Sequence, residues 1–216
     1  MDESVVLIIG ASRGLGLETV KAALRAGYSV RALARSAHNI ALNDVRLEKI
    51  CGDALDESAI LQSLNGVNAV IQTLGVPITP GTVLRGTDLF SGASRVLVKR
   101  MRAAGVRRLI TVTGIETGES RGSAGFLHSR VLFPLILQRI YDDKNAQEEV
   151  IRKSGLDWTL VRPGILTNNV PTGRFRIRTD PRVWCGGFIT RADVADFLVR
   201  QIKDHTYIGK APVLIG

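Results

Sequence analysis

Residues 5–16 read VVLIIGASRGLG, an apolar, β-branched run that ends in glycines at 10, 14 and 16 and passes at once into an amphipathic stretch. A buried strand, a tight turn and a helix account for that order. The first N–H groups of a helix have no partner within it and carry the positive end of its dipole, so such a turn is suited to meet an anion. Gly10 lets the chain leave the strand, Gly14 lets backbone approach a phosphate, and Gly16 lets the helix lie on the strand. The spacing is GxxxGxG rather than GxGxxG. Its place at the first strand-to-helix turn of the chain is what points to the pyrophosphate of a dinucleotide.

Outward from that turn, strand and helix alternate. Short apolar runs bounded by turn residues predict strands near 5–10, 28–34, 46–51, 68–74 and 107–113. Leu17, Val20 and Leu24 share a helical face that ends at Gly27; Asp56 can cap a helix carrying Ile60, Leu61 and Leu64. Residues 88–104 carry Leu89, Ala93, Val96, Leu97, Met101 and Ala104 on one stripe, and a helix over roughly 138–153 precedes a strand from Asp157 to Arg162. The expectation is an α/β fold, a doubly wound parallel sheet with right-handed crossovers and helices on both faces. Ligands of such sheets sit beyond the carboxyl ends of the strands. Those exits are Gly10–Gly16, Arg35–Ser36, Asp53–Ala54, Leu74–Gly75, Thr113–Gly114 and Pro163–Gly164.

Two stretches break the alternation. Residues 114–130 are rich in Gly and Ser and read as a loop; residues 165–189 hold a short alternating strand, Arg174 to Arg178, among turn residues. Thr190-Arg191-Ala192-Asp193 has the form of a helix-capping box with a structural role, and an edge strand from Ala211 to Ile215 closes the chain. The apolar run Val131–Leu137, interrupted by Pro134, suits the core or an interface such as that of a homodimer.

Composition narrows the class. With 216 residues, 45% hydrophobic and 23% charged, the chain suits a single globular domain over 1–216. Met1-Asp2-Glu3-Ser4 leads straight into a strand, and no apolar run reaches the roughly 20 residues needed to span a bilayer, so neither a signal peptide nor a membrane partner is expected. Cys51 and Cys185 are far apart and read as buried thiols of a reducing cytoplasm; His38, His128 and His205 form no metal-like cluster. The net charge of +9 suits a protein that holds a polyanion. Its densest patch, Lys99-Arg100-Met101-Arg102 with Arg107-Arg108, lacks interleaved aromatics, so a solvated face explains it better than a nucleic-acid groove.

Arg35 is the most informative side chain. After the second strand an acid would bind the ribose 2′-OH of NAD, whereas an arginine can pair bidentately with the 2′-phosphate of NADP. Arg13 can reach the same phosphate from the glycine turn, and the Ser12 and Ser36 hydroxyls can add hydrogen bonds, so NADPH is expected in preference to NADH. Asp53 can accept from the adenine amine while Ala54 backbone touches the ring; equally, Asp53 can serve as an acid ahead of a helix N-terminus.

GASRGLG at 10–16, ALARS at 32–36, CGDALD at 51–56, AVIQTLG at 69–75, KNAQEEVIRKSGLDWTLVRPGIL at 144–166 and FITRADVADFL at 188–198 together resemble the atypical short-chain dehydrogenase/reductases of the NAD(P)H-binding, NmrA-like group. The biliverdin/flavin reductase branch is a near parallel, sharing the arginine after strand two and the pair Asp142-Asp143. The resemblance implies a Rossmann-type fold with a small substrate-side lobe from 114–130 and 165–189. It implies that Gly10, Ser12, Arg13, Leu15 and Gly16 hold phosphates, Arg35 the 2′-phosphate, and Asp53 and Ala54 the adenine. Leu74, Gly75 and Thr113 would flank ribose and nicotinamide, and Pro163, Gly164 and Ile165 would cover the nicotinamide amide.

The family's reductases use Tyr-x-x-x-Lys as acid and base beside a Ser or Thr, here Thr113. Lys144 stands in the lysine position, four residues before Glu148, but the tyrosine position holds Ile140. Tyr141 comes one place late, turned by about 100° on a helix, though still on a neighbouring row to Lys144. A packed or surface tyrosine is the favoured reading, and Lys144 can touch cofactor or be an exposed helical lysine. Without a firm acid, a small-molecule conjugated acceptor such as a flavin or quinone is expected, because solvent can protonate its delocalised anion. The alternative is a non-catalytic NADP(H)-binding redox sensor.

Overall fold

The computed structural model describes residues 4–77, 79, 86–114, 133–180 and 187–216. Along the chain run β1 (Val5–Ile9), α1 (Gly14–Arg25), β2 (Ser29–Ala34), a 3-10 turn (Ala37–Asn39), β3 (Leu47–Cys51), α2 (Glu57–Ser63) and β4 (Ala69–Gln72). They are followed by α3 (Leu89–Ala103), β5 (Arg108–Val112), α4 (Phe133–Arg152), β6 (Asp157–Pro163) and β7 (Ile165–Thr167). Last come β8 (Arg176–Arg178), β9 (Phe188–Thr190), α5 (Arg191–Arg200) and β10 (Val213–Ile215).

Eight strands form one sheet in the order β3-β2-β1-β4-β5-β6-β10-β8, parallel except where β8 runs against β10. The order reverses between β1 and β4, the position at which doubly wound sheets open a crevice for ligand. β1 shows why its strand reads as unbroken apolar sequence. Val6 and Ile8 face one core with Val20, Ala23 and Leu24 of α1 and Val194 and Leu198 of α5. Leu7 and Ile9 face the other core, with Ile60 of α2, Leu97 and Met101 of α3 and Ile151 of α4. A strand covered on both faces keeps no polar alternation.

Three expectations change. The closing strand is not an edge: β10 lies between β6 and β8, because the short antiparallel β8 covers its outer side. α4 starts at Phe133, ahead of the expected 138, with Pro134 in its first turn, where the missing N–H would have had no partner in any case. A second sheet, β7 with β9, forms within the turn-rich stretch 165–189, pairing Ile165 with Phe188 and Thr167 with Thr190. Most of the expected loop 114–130, together with Cys185 and His128, lies outside the described residues.

Candidate functional site at the carboxyl edge of the sheet

Gly10 turns out of β1 with φ +87, and a Cβ there would stand 3.0 Å from the Thr73 carbonyl oxygen. The turn is tied to both neighbouring strands: the Gly10 N–H donates to the Leu33 carbonyl at 2.9 Å, and the Thr73 hydroxyl donates to the Ile9 carbonyl at 2.9 Å. A side chain on Gly16 would lie 2.0 Å from the Gly10 carbonyl oxygen, so only glycine lets α1 approach β1 this closely. Leu15 beside it is buried.

The N-terminus of α1 is left open. Arg13 precedes the helix without a side-chain cap, and the first turn holds no acid. Three other helices are closed. Asp56 accepts from Ser58 N–H at 2.8 Å ahead of α2. The Asp143 carboxylate on α4 accepts from Phe90 and Ser91 N–H at 2.8 and 3.1 Å, capping α3 from a distance in sequence. Thr190 accepts from Asp193 N–H at 3.0 Å at the head of α5. An uncapped positive end with a glycine at φ +54, Gly14, fits a phosphate group.

At the β2 exit, the Ser36 hydroxyl donates to Ser12 Oγ at 3.0 Å, joining this exit to the glycine turn. Arg13 and Arg35, the residues beside that pair, are exposed, and among the described residues neither side chain has a hydrogen bond or ion pair. At the β3 exit, Asp53 accepts from Leu55 N–H at 3.0 Å, and Ala54 is buried among Leu7, Ile9 and Leu33. Cys51 is exposed and not a buried thiol, because β3 is the sheet's edge; its sulfur lies 3.6 Å from His38 Nδ1.

Around the β5 exit the polar groups are tied together. Arg162 on β6 is 0% exposed, and its guanidinium donates to both Glu148 carboxylate oxygens, Nε at 3.0 Å and Nη2 at 2.5 Å. The Thr113 hydroxyl donates to Glu148 Oε1 at 2.7 Å, so a helix residue and a strand residue fix its position. Lys144 Nζ in turn donates to the Thr113 carbonyl at 2.9 Å and lies 4.3 Å from the centre of the Phe90 ring. Burial lowers the Lys144 pKa to about 8, against the pull of Glu148 and Asp143. Tyr141 is half-buried with its ring over Gly114, where a Cβ would be 3.3 Å from the Tyr141 oxygen. Ile140, at the family's tyrosine position, points into the core instead. Leu74 is half-buried and Gly75 exposed at the β4 exit.

Beyond β6, Pro163 is buried, and Gly164 passes so near β9 that a Cβ would stand 2.3 Å from the Gly187 carbonyl oxygen. Ile165 and Phe188 are directly paired and remain 49% and 65% exposed, an apolar surface at the exit of β6. Asp193 holds the segment after β7, accepting from Thr172 N–H at 3.1 Å, Gly173 N–H at 2.9 Å and the Thr190 hydroxyl at 2.8 Å. Burial alone would raise its pKa, but bonds from Thr172, Thr190 and Gly173 hold it below the usual carboxylate value.

Reading the sequence singled out the exits but missed Arg162, Asp143 and the clamp role of Asp193, and used Glu148 only as a marker. One signal was present: a charged residue in the apolar strand Asp157–Pro163 calls for a partner. Away from this edge, a cavity of about 520 Å³ opens at the amino ends of the strands, lined by Asn68, Arg107, Arg108 and Asp157. Most cations of the basic patch have partners within the protein. Glu57 binds Lys99 and Arg100, Asp157 binds Arg107, and Arg108 is buried against the Gln201 and Asp157 carbonyls. Among the described residues no group of His, Cys, Asp and Glu could hold a metal ion, and no helix is long and apolar enough to cross a membrane.

Sheet order, open helix end and strand-exit site define a dinucleotide-binding α/β protein of the Rossmann type. The chain belongs to the NAD(P)H-binding family, whose model matches residues 10–205. It is 27% identical to the uncharacterized sugar epimerase YhfK of Bacillus subtilis over 95% of this chain and 91% of that protein. It is 25% identical to an NAD(P)H azoreductase of Xenophilus azovorans over 77% of this chain and 50% of that one. The chain spans 44% of the photosystem II assembly factor Ycf39 of Cyanophora paradoxa, at 28% identity over 73% of its own length. Among solved structures, the anaerobilin reductase ChuY of Escherichia coli O157:H7 superposes with TM-score 0.80 at 24% identity, covering 98% and 97% of the two chains. A Veillonella parvula short-chain dehydrogenase/reductase in complex with NADP superposes with TM-score 0.81 at 15% identity, covering 99% and 94%. These two likenesses are likenesses of fold.

Proposed function

We propose that this protein is an NADPH-dependent reductase that passes hydride to a flat conjugated acceptor such as a flavin or quinone. The observation that carries the reading is the pairing, on one edge, of two arginines beside Ser12 and Ser36, which have no partner among the described residues, with an exposed apolar surface at Ile165 and Phe188. Gly10, Ser12, Gly14, Leu15 and Gly16 would hold the pyrophosphate, Arg13, Arg35 and Ser36 the 2′-phosphate, and Asp53 and Ala54 the adenine. Leu74, Gly75, Thr113 and Lys144 would flank the ribose, and Pro163, Gly164 and Ile165 the nicotinamide amide. When bound, the reduced nicotinamide supplies the hydride.

The chain's own part is alignment. Glu148 and Arg162 fix Thr113; Thr113 fixes Lys144; Ile165 and Phe188 offer an apolar face and exclude water. Reduction of a ketone leaves an alkoxide that needs a proton donor at hand, whereas a conjugated acceptor spreads the charge until solvent protonates it. Ile140 in the core removes the family's usual acid, which favours the second kind. The azoreductase relative supports an acceptor of that class. The internal partners of Lys99, Arg100, Arg107 and Arg108 support a site without nucleic acid, and we assign the protein to the cytoplasm.

The test is NADPH consumption against panels of flavins, quinones, azo dyes and ketones. Turnover with a conjugated acceptor is expected, and Tyr141→Phe should leave it nearly unchanged. A loss on the order of a hundredfold in that variant, the usual worth of a general acid, would restore ketones and assign Tyr141 the acid's role. The buried Ile140 also favours a second reading, a non-catalytic NADP(H) sensor. Tight NADPH binding with no turnover on any acceptor would select it.

A further inference from the structure

Arg191, the first residue of α5, comes from 177 positions beyond Gly14 in sequence yet lies against the glycine turn: its Nε is 3.8 Å from where a Cβ on Gly14 would stand. The packing of α5 on α1 brings it there, anchored further along by the Arg25–Asp196 ion pair at 3.2 Å. The guanidinium is held from one side only. Nη1 donates to Asn168 Oδ1 at 2.7 Å and to the Leu166 carbonyl at 3.4 Å. Among the described residues Nε and Nη2 have no partner, and these two nitrogens form the side-on fork with which arginine grips a phosphate or carboxylate by parallel hydrogen bonds. The fork's Nε therefore faces the N-terminus of α1, which has neither a side-chain cap nor an acid in its first turn.

We propose that Arg191 is a ligand of the dinucleotide pyrophosphate, closing over the glycine turn from the acceptor side. The inference rests on the nucleotide-binding part of the proposed function and extends it. Arg13 and Arg35 read the 2′-phosphate, which only NADPH carries; Arg191 reads the diphosphate that NADPH and NADH share. Its carbonyl and amide partners, Leu166 and Asn168, belong to the end of β7 and the segment after it. Bound diphosphate thereby fixes the acceptor-side strand through the same guanidinium.

Titration of the purified protein with NADPH, with NADH and with adenosine 2′-monophosphate, followed by calorimetry, separates the roles. Arg191→Met should weaken NADPH and NADH by the same factor, roughly ten- to a hundredfold for charge-assisted bonds, and leave adenosine 2′-monophosphate unchanged. Arg191→Lys keeps the charge without the fork and should fall between. Asn168→Ala removes one of the two partners of Nη1 and should weaken both dinucleotides by a common factor smaller than that of Arg191→Met. The proposal is overturned if Arg191→Met binds NADH like the parent protein, or if it weakens adenosine 2′-monophosphate as much as NADPH. Failure of the parent protein to bind either dinucleotide would overturn this inference and the proposed reductase together. Binding without turnover would remove only the reductase.

Discussion

Two arginines on the same edge of the sheet live in opposite circumstances. Arg35 ends β2 in solvent, with no side-chain partner among the described residues. Arg162, near the end of β6, is fully buried and grips Glu148 with two bonds. The difference divides the edge by task. At β1 to β3 the positive groups are left unpaired among the described residues: an uncapped helix, Arg13 and Arg35. At β5 and β6 charge is already matched, and Thr113 and Lys144 are held by a lattice of internal bonds. Beneath that lattice Gln147 donates to Gln72 Oε1 and Ser94 Oγ at 3.1 and 3.2 Å, tying α4 to β4 and α3 inside the core. In the proposed function the first end would recognise and the second would align.

The strongest way to break this contrast is to unpair Glu148. Arg162→Ala strips the buried Glu148 carboxylate of its two-bond partner and leaves it Arg152 at 3.6 Å and the Thr113 hydroxyl, and a loss of about 3 kcal/mol of folding stability is expected. Replacing both partners, as in E148L/R162M, should restore much of it. Urea unfolding of the two variants checks both statements, and equal losses in single and double variant would refute the pairing argument.

Removing the Arg35 charge should do the reverse. Arg35→Ala is expected to leave the unfolding midpoint unchanged while weakening NADPH roughly ten- to a hundredfold, with NADH binding unaltered. Equal weakening of both nucleotides would show that Arg35 does not read the 2′-phosphate.

The last effect concerns pH. Lys144 falls from 10.5 to about 8 on folding, so the unfolded chain binds more protons between those values. Burying the charged amine opposes folding in full below about pH 8, and that opposition fades as pH rises towards 10.5. Stability should therefore climb across this window in the parent protein relative to Lys144→Met. Parallel pH profiles for the two would place the amine in solvent.

Much of the fold was legible because burial on both faces leaves a local mark. The apolar runs at 5–9, 29–34, 69–72 and 108–112 lie where strands occur, and Asp56 caps α2 as its position suggested. Gly16 could be read as a contact residue because the turn's geometry is carried by neighbours in sequence. Other features carried no local mark. Asp143 resembled half of an acidic pair on a helix, yet its acceptors close the N-terminus of α3, more than fifty positions earlier. Thr190-Arg191-Ala192-Asp193 looked like a self-contained cap, while Asp193 also grips Thr172 and Gly173. The short strands β7 and β9 lacked a hydrophobic period, since Ile165 and Phe188 pair with each other outside the core.

Sequence by itself determined the strand–turn–helix at the start, the alternation that builds a parallel sheet, and the positions at which strands leave it. Those follow from propensity, period and glycine, all local properties of the chain. Only the tertiary structure decided which charges meet. Whether an arginine is stranded in water, sealed on Glu148 or turned towards Gly14 depends on which helices pack side by side, and long-range packing sets the cost of leaving each charge unmatched.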